Sequence, residues 1–120
     1  MTLQNCYTAL GGNFEDVFSR LRSEKMIRKF VLKFLNDPSY ELLCSSLDSQ
    51  NYEEAFRAAH TLKGVCQNLS FTTLYASSSQ LCEALRNGYT PEVPALFDQV
   101  EQDYQRAIRA IQSYQQEEDT

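Results

Sequence analysis

The sequence predicts an all-α fold, an antiparallel up-and-down four-helix bundle with short N-terminal capping helices. Three observations carry this expectation. No alternation of apolar and polar residues persists beyond a few positions, so there is no strand signal. Glycines and prolines are few, four and three in 120 residues, and most sit where a helix would end. Apolar residues recur at spacings of three and four over several long stretches, the mark of a helix with one buried face.

The elements follow in order. A short helix is expected from Leu3 to Leu10, broken by Gly11-Gly12-Asn13, and a second from Phe14 to Leu21. A third, Glu24 to Leu35, places Ile27, Val31, Phe34 and Leu35 at helical spacing, with Ser23 as its cap. Asn36-Asp37-Pro38 ends that helix and opens the next, with Asp37 as N-cap and Pro38 in the first helical position. This helix runs to about Asp48 and turns Leu43 and Leu47 inward. Asn51, with Glu54 three residues on, caps a helix from Tyr52 to Leu69. Its stripe is Ala55, Ala59, Leu62, Cys66 and Leu69, the seam of a bundle. The segment from Thr72 to Asn87 carries Leu74, Ser78, Leu81 and Leu85 on one face, and Gly88 follows as a C-cap. Thr90-Pro91 opens the last helix, whose stripe runs from Val93 through Leu96, Phe97, Val100, Tyr104, Ala107, Ile108 and Ile111 and fades near Tyr114.

The expected organisation is one domain over residues 1–120. Residues 1–35 form the capping helices, 38–114 the four-helix bundle and 115–120 a loose acidic tail. Such a length buries a core without disulfides or a structural metal. A net charge of −5 argues against nucleic acid as the main partner. No apolar run approaches the length of a membrane span, and the N-terminal segment does not read as a secretory signal, so a cytoplasmic location is expected. The four cysteines, at 6, 44, 66 and 82, form no C-x-x-C pair, and the chain has one histidine. A zinc site is therefore not expected, and the thiols read as reduced and mostly structural.

The chemistry concentrates in Ala58-Ala59-His60-Thr61-Leu62-Lys63-Gly64. His60 lies one residue off the apolar seam and faces solvent. Lys63, Gly64 and Gln67 follow at three, four and seven residues, on the same helical face. A glycine inside a helix costs about 1 kcal/mol relative to alanine, so something must compensate. One turn from a histidine, the missing side chain opens the approach to the imidazole. Lys63 adds a positive charge within reach of an anion there. A neutral imidazole nitrogen is a competent nucleophile near pH 7. It can take a phosphoryl group from an aspartyl phosphate and return it to another aspartate. That reaction depends mainly on positioning and charge neutralisation.

His60-Thr61-Leu62-Lys63-Gly64 resembles the H-x-L-K-G signature of histidine phosphotransfer (HPt) domains. Asn68, Leu69, Leu74 and Leu81 are also similar to the family pattern. Tyr7, Leu10-Gly11-Gly12 and Phe34-Leu35 resemble the N-terminal part of bacterial members. The resemblance implies that His60 is phosphorylated, that Lys63 holds the phosphoryl group and that Gly64 admits the partner. The partners it implies are response-regulator receiver domains and a sensor histidine kinase. The chain itself needs no cofactor, because the divalent metal belongs to the receiver. Two positions depart from the pattern. Ser70 stands where the family usually has glycine, which bears on the turn between helices. Cys82 stands where a polar or acidic residue is frequent, which bears on any hydrogen bond to the imidazole.

Phe56, Gln67 and Phe71 are the candidate partner-binding residues, each equally readable as a plain core or surface position. A monomeric phosphocarrier is expected rather than a true enzyme. There is no nucleotide-binding loop for a kinase, and no second titratable group to make His60 a general base. The alternative is a helical adaptor that binds receiver domains without chemistry.

Overall fold

In the computed structural model, residues 1–118 are described and contain seven α-helices and no strand. They are α1 (Leu3–Leu10), α2 (Phe14–Leu21), α3 (Glu24–Lys33), α4 (Ser39–Asp48), α5 (Tyr52–Leu69), α6 (Thr72–Leu85) and α7 (Val93–Glu118). The bounds of α1, α2 and α5 are those the sequence predicts. Asn51 Oδ1 accepts from Glu54 N at 3.2 Å and Ser23 Oγ from Met26 N at 3.2 Å, so both caps form as expected.

Five boundaries differ, among them that of α6, which ends at Leu85 with Arg86 as its C-cap, short of the expected Asn87 and Gly88. The third helix stops at Lys33, and a single 3₁₀ turn, Phe34–Asn36, continues the path of the chain. Asp37 Oδ1 accepts from Ser39 N at 2.9 Å, but Pro38, not Asp37, stands at the N-cap of α4, so the expected cap and first helical residue each fall one position further on. The last helix opens at Val93 instead of Pro91. The Thr90 hydroxyl is buried without a hydrogen bond, so it is not the cap, and Pro94 is the proline inside the first turn. At the other end α7 continues to Glu118, so residues 115–118 are helical and not a loose tail. Residues 119–120 of that expected tail lie outside the described residues.

The core is built from the predicted stripes. Ala55, Ala59, Leu62 and Cys66 of α5 are fully buried, as are Leu43, Leu81, Val100, Ala107 and Ile111. α5 packs between α4 and α6, and α6 packs on α7. Tyr40 of α4 stacks on Tyr104 of α7, with ring centroids 3.8 Å apart and planes 7° apart. The same Tyr40 ring stacks on Phe97, so aromatic contacts join α4 to α7. α1 lies along α7, and α3 touches both α5 and α7. None of the four cysteines is in a disulfide; Cys6, Cys66 and Cys82 are buried and Cys44 is partly so.

The C-terminal end of α5 is tied down from several sides. Ser70 takes the left-handed conformation, φ 57°. Its N–H donates to Gln67 O and that of Phe71 to Cys66 O, the paired bonds of a Schellman cap. Ser70 Oγ donates to Asp16 Oδ2 at 2.6 Å and accepts from Arg20 Nη2 at 2.7 Å. The buried Tyr7 hydroxyl donates to Leu69 O at 2.8 Å. Gly12 is required here, because a Cβ at that position would stand 2.8 Å from both Ser70 O and the Tyr7 ring. Residues 1–22 thus clamp the lower end of the helix that carries His60.

Candidate functional site

His60 is exposed on the outer face of α5, while its neighbours Ala59 and Leu62 are buried. The backbone position is therefore fixed by the core and the imidazole is left in solvent. Cys82 of α6 sits beneath it, with Sγ 4.0 Å from His60 Nδ1. Cys82 is only 1% exposed. Burial pushes its thiol above the ordinary range, against the opposing pull of the Lys63 and Arg86 cations. It remains a neutral thiol, a weak partner at the outer limit of sulfur hydrogen bonding. The contact to the imidazole is therefore present but weak.

Gly64 lies one turn along the helix from His60. A Cβ added there would meet nothing within 4 Å. The glycine is thus not needed for internal packing, and its helical penalty has no structural compensation inside the chain. Lys63 is partly exposed beside it, and Gln67 is exposed a turn further. Lys63 acts electrostatically on both Cys82 and Glu83, which places its charge at the α5–α6 seam next to the imidazole.

Phe56 is half-buried, and its ring stacks with the His60 ring at 6.2 Å between centroids and 23° between planes. Arg86 of α6 lies over the other ring contact, its Cζ 5.4 Å from the Phe56 centroid. Arg86 also pairs with Glu83 at 3.0 Å. Two cross-helix pairs therefore line the seam, Cys82 with His60 and Arg86 with Phe56. Arg86 is a member of this surface that does not stand out in the sequence. Its spacing of four from Cys82 was the available signal, but the register of α6 against α5 is needed to use it.

Phe71 does not belong to this surface, which corrects the sequence expectation. It is fully buried under the α5–α6 turn. Its ring meets Tyr7 at 5.6 Å and Phe34 at 5.2 Å, both edge-to-face. It follows the left-handed cap residue Ser70, the position from which a Schellman cap turns an apolar side chain back onto its helix. Of the residues singled out, His60, Lys63, Gly64, Gln67 and Phe56 share one face, and Phe71 is core.

The model of the family described as "Hpt domain" matches residues 36–110, well over half the chain. The chain belongs to the Hpt domain family. No curated protein and no solved structure matches it significantly. The Hpt match spans α4, α5, α6 and most of α7, and so includes His60, Lys63 and Gly64. Hpt domains serve histidine phosphotransfer in two-component signalling, and such domains interact with receiver domains and kinases. Among the described residues of this Hpt domain no helix is long and apolar enough to cross a membrane.

Proposed function

We propose that this Hpt domain relays a phosphoryl group between the aspartates of receiver domains through His60, within a multistep phosphorelay fed by a sensor histidine kinase. The observation that carries the reading is the exposed imidazole with an empty approach over Gly64. We take α4–α7 as an up-and-down four-helix bundle that holds α5 rigid, with α1–α3 as its cap, acting as a monomer in the cytoplasm.

In this reading Nδ1 faces Cys82 and leaves Nε2 as the attacking nitrogen. The Nε2 lone pair attacks the phosphorus of an aspartyl phosphate. The P–N bond forms as the acyl P–O bond breaks and the aspartate carboxylate departs. The reverse displacement passes the group to the next receiver. Lys63 neutralises part of the incoming charge, and the receiver supplies the divalent metal and acidic pocket. The chain contributes position, access and one cation, with no cofactor of its own.

The test is incubation with a phosphorylated receiver domain and Mg²⁺. One acid-labile, base-stable phosphoryl group should appear on the wild type and none on His60→Gln. A label on Ser, Thr or Asp, or on the His60→Gln protein, would show the assignment to be wrong. The adaptor reading predicts stable receiver binding with no label at all.

A further inference from the structure

The charge of the chain is unevenly placed. Six of its eleven basic residues fall between Arg20 and Lys33, together with one acidic residue, Glu24. The rest of the chain carries five basic residues against fifteen acidic ones. All six, Arg20, Arg22, Lys25, Arg28, Lys29 and Lys33, are exposed. Residues 20–33, the last turn of α2 and the whole of α3, therefore form a positive flank centred on α3, although Arg20 is itself paired with Asp16 of α2, which also carries Glu15.

This flank abuts the helix that bears His60. Arg20 Nη2 donates to Gln67 O at 3.2 Å and Asn68 O at 2.8 Å, at the foot of the His60–Gly64–Gln67 face. With a rise of 1.5 Å per residue, Gln67 lies about 10 Å along the axis from His60. That is on the order of one Debye length at physiological salt. At the same place a half-open groove of about 460 Å³ runs between α3 and α5. Its lining includes Phe30 and Lys33 of α3, Val65 and Asn68 of α5, and Asp37. Beside it, Met26 of α3 is 41% exposed.

We infer that the α2–α3 flank is a docking surface for the receiver domain, taking an acidic, apolar-tipped part of the receiver beside the groove while His60 meets its aspartate. The inference rests on the relay reading, which supplies the partner. Charge complementarity favours it: a receiver must gather carboxylates around its metal and phosphorylated aspartate. An acidic domain approaching this chain is repelled by the net negative charge of the rest of the chain and attracted by this flank. Charges arranged in this way raise the association rate and orient the encounter more than they tighten the final complex.

Two charge-matched triple variants test it. Lys25→Gln/Lys29→Gln/Lys33→Gln removes three positive charges from the flank. Gln102→Glu/Gln105→Glu/Gln112→Glu makes the same change in net charge at exposed positions of α7. Association with a panel of purified receivers, each held in the phosphorylated form by beryllofluoride and Mg²⁺, is followed by stopped flow at low and high salt. Phosphoryl transfer within the preformed complex is measured separately. The flank variant should associate on the order of tenfold more slowly than wild type at low salt and approach it at high salt. The α7 variant should stay within about twofold, and transfer within the complex should be unchanged in both. Equal slowing in the two variants, or none in the flank variant, overturns the proposal while leaving the relay intact. Binding of the flank to vesicles of phosphatidylserine, with receiver association unaffected by its loss, would assign the surface to a membrane instead. A wild type that binds no receiver and accepts no phosphoryl group overturns both readings.

Discussion

The C-terminal end of α5 and the middle of that helix, where His60 is the ninth of eighteen residues, are built on opposite principles. At its C-terminal end every contact is strong: a Schellman cap, the Tyr7–Leu69 bond, and the Asp16–Ser70–Arg20 network. One and a half turns or more away, His60 is held by a 4.0 Å approach to a thiol and a ring stacked at 6.2 Å. Rigidity is thus supplied to the backbone from one end, and freedom is left to the imidazole in the middle of the helix. A phosphoacceptor needs both. The helix must not yield when a partner docks, and the nucleophile must not be committed to a strong internal partner.

The sharpest way to break this comparison is at the anchored end. Phe71→Ala empties a fully buried site between Tyr7 and Phe34 and should destabilise the fold by about 3–5 kcal/mol in urea unfolding. Phosphoryl uptake per folded molecule should be unchanged. Reduced receiver affinity without loss of stability would instead return Phe71 to the docking surface.

Gly64 probes the open face around His60. Gly64→Ala should stabilise the helix by up to about 1 kcal/mol, since its Cβ meets nothing. Gly64→Gln should fold normally and slow transfer on the order of a hundredfold, by displacing the receiver from the imidazole. Fast transfer by a folded Gly64→Gln protein would remove the steric reason for the glycine.

Lys63 should matter less. A phosphoryl group brings roughly −1.5 to −2 charges to the site. The side chain is partly exposed, so Lys63→Ala should shorten the phosphohistidine half-life or slow transfer only about two- to fivefold. Lys63→Glu should be worse, both effects should shrink at high salt, and stability should hardly move. Equal half-lives and rates in all three proteins would make Lys63 a bystander.

The smallest expected effect lies in the Asp16 network. The Ser70 hydroxyl, then Arg20, hold the Asp16 carboxyl below its ordinary value of 3.8. A depressed carboxylate stabilises the fold above that ordinary value, and the contribution is lost as pH falls through the lower folded-state value. The urea midpoints of wild type and Asp16→Asn should therefore differ at neutral pH and converge in strong acid. A constant difference across that range would mean that the carboxylate charge plays no part in the anchor.

Local signals made much of this legible. The caps Ser23 and Asn51 and the stripes of α5, α6 and α7 follow from neighbours within four residues, and they were readable as such. His60, Lys63 and Gly64 were readable for the same reason, since one helical face is a local property. What failed was either just beyond a helix end or across helices. Phe71 lies past the cap, where helical periodicity no longer assigns a face. Thr90-Pro91 has the composition of a helix start, but Pro94 serves that role and Val93 is the first helical residue. Arg86 over Phe56 depends on how α6 sits against α5, which no spacing within either helix encodes, and Cys82 beside His60 was legible only through the family resemblance.

The account turns on His60 both accepting and returning a phosphoryl group. The direct measurement is to phosphorylate the protein from one receiver, isolate it, and add a second, unphosphorylated receiver with Mg²⁺. The label should leave His60 and appear on the second receiver as an aspartyl phosphate, with the first transfer absent in His60→Gln. Stable binding of both receivers with no label ever passing through His60 would contradict the relay and leave an adaptor in its place.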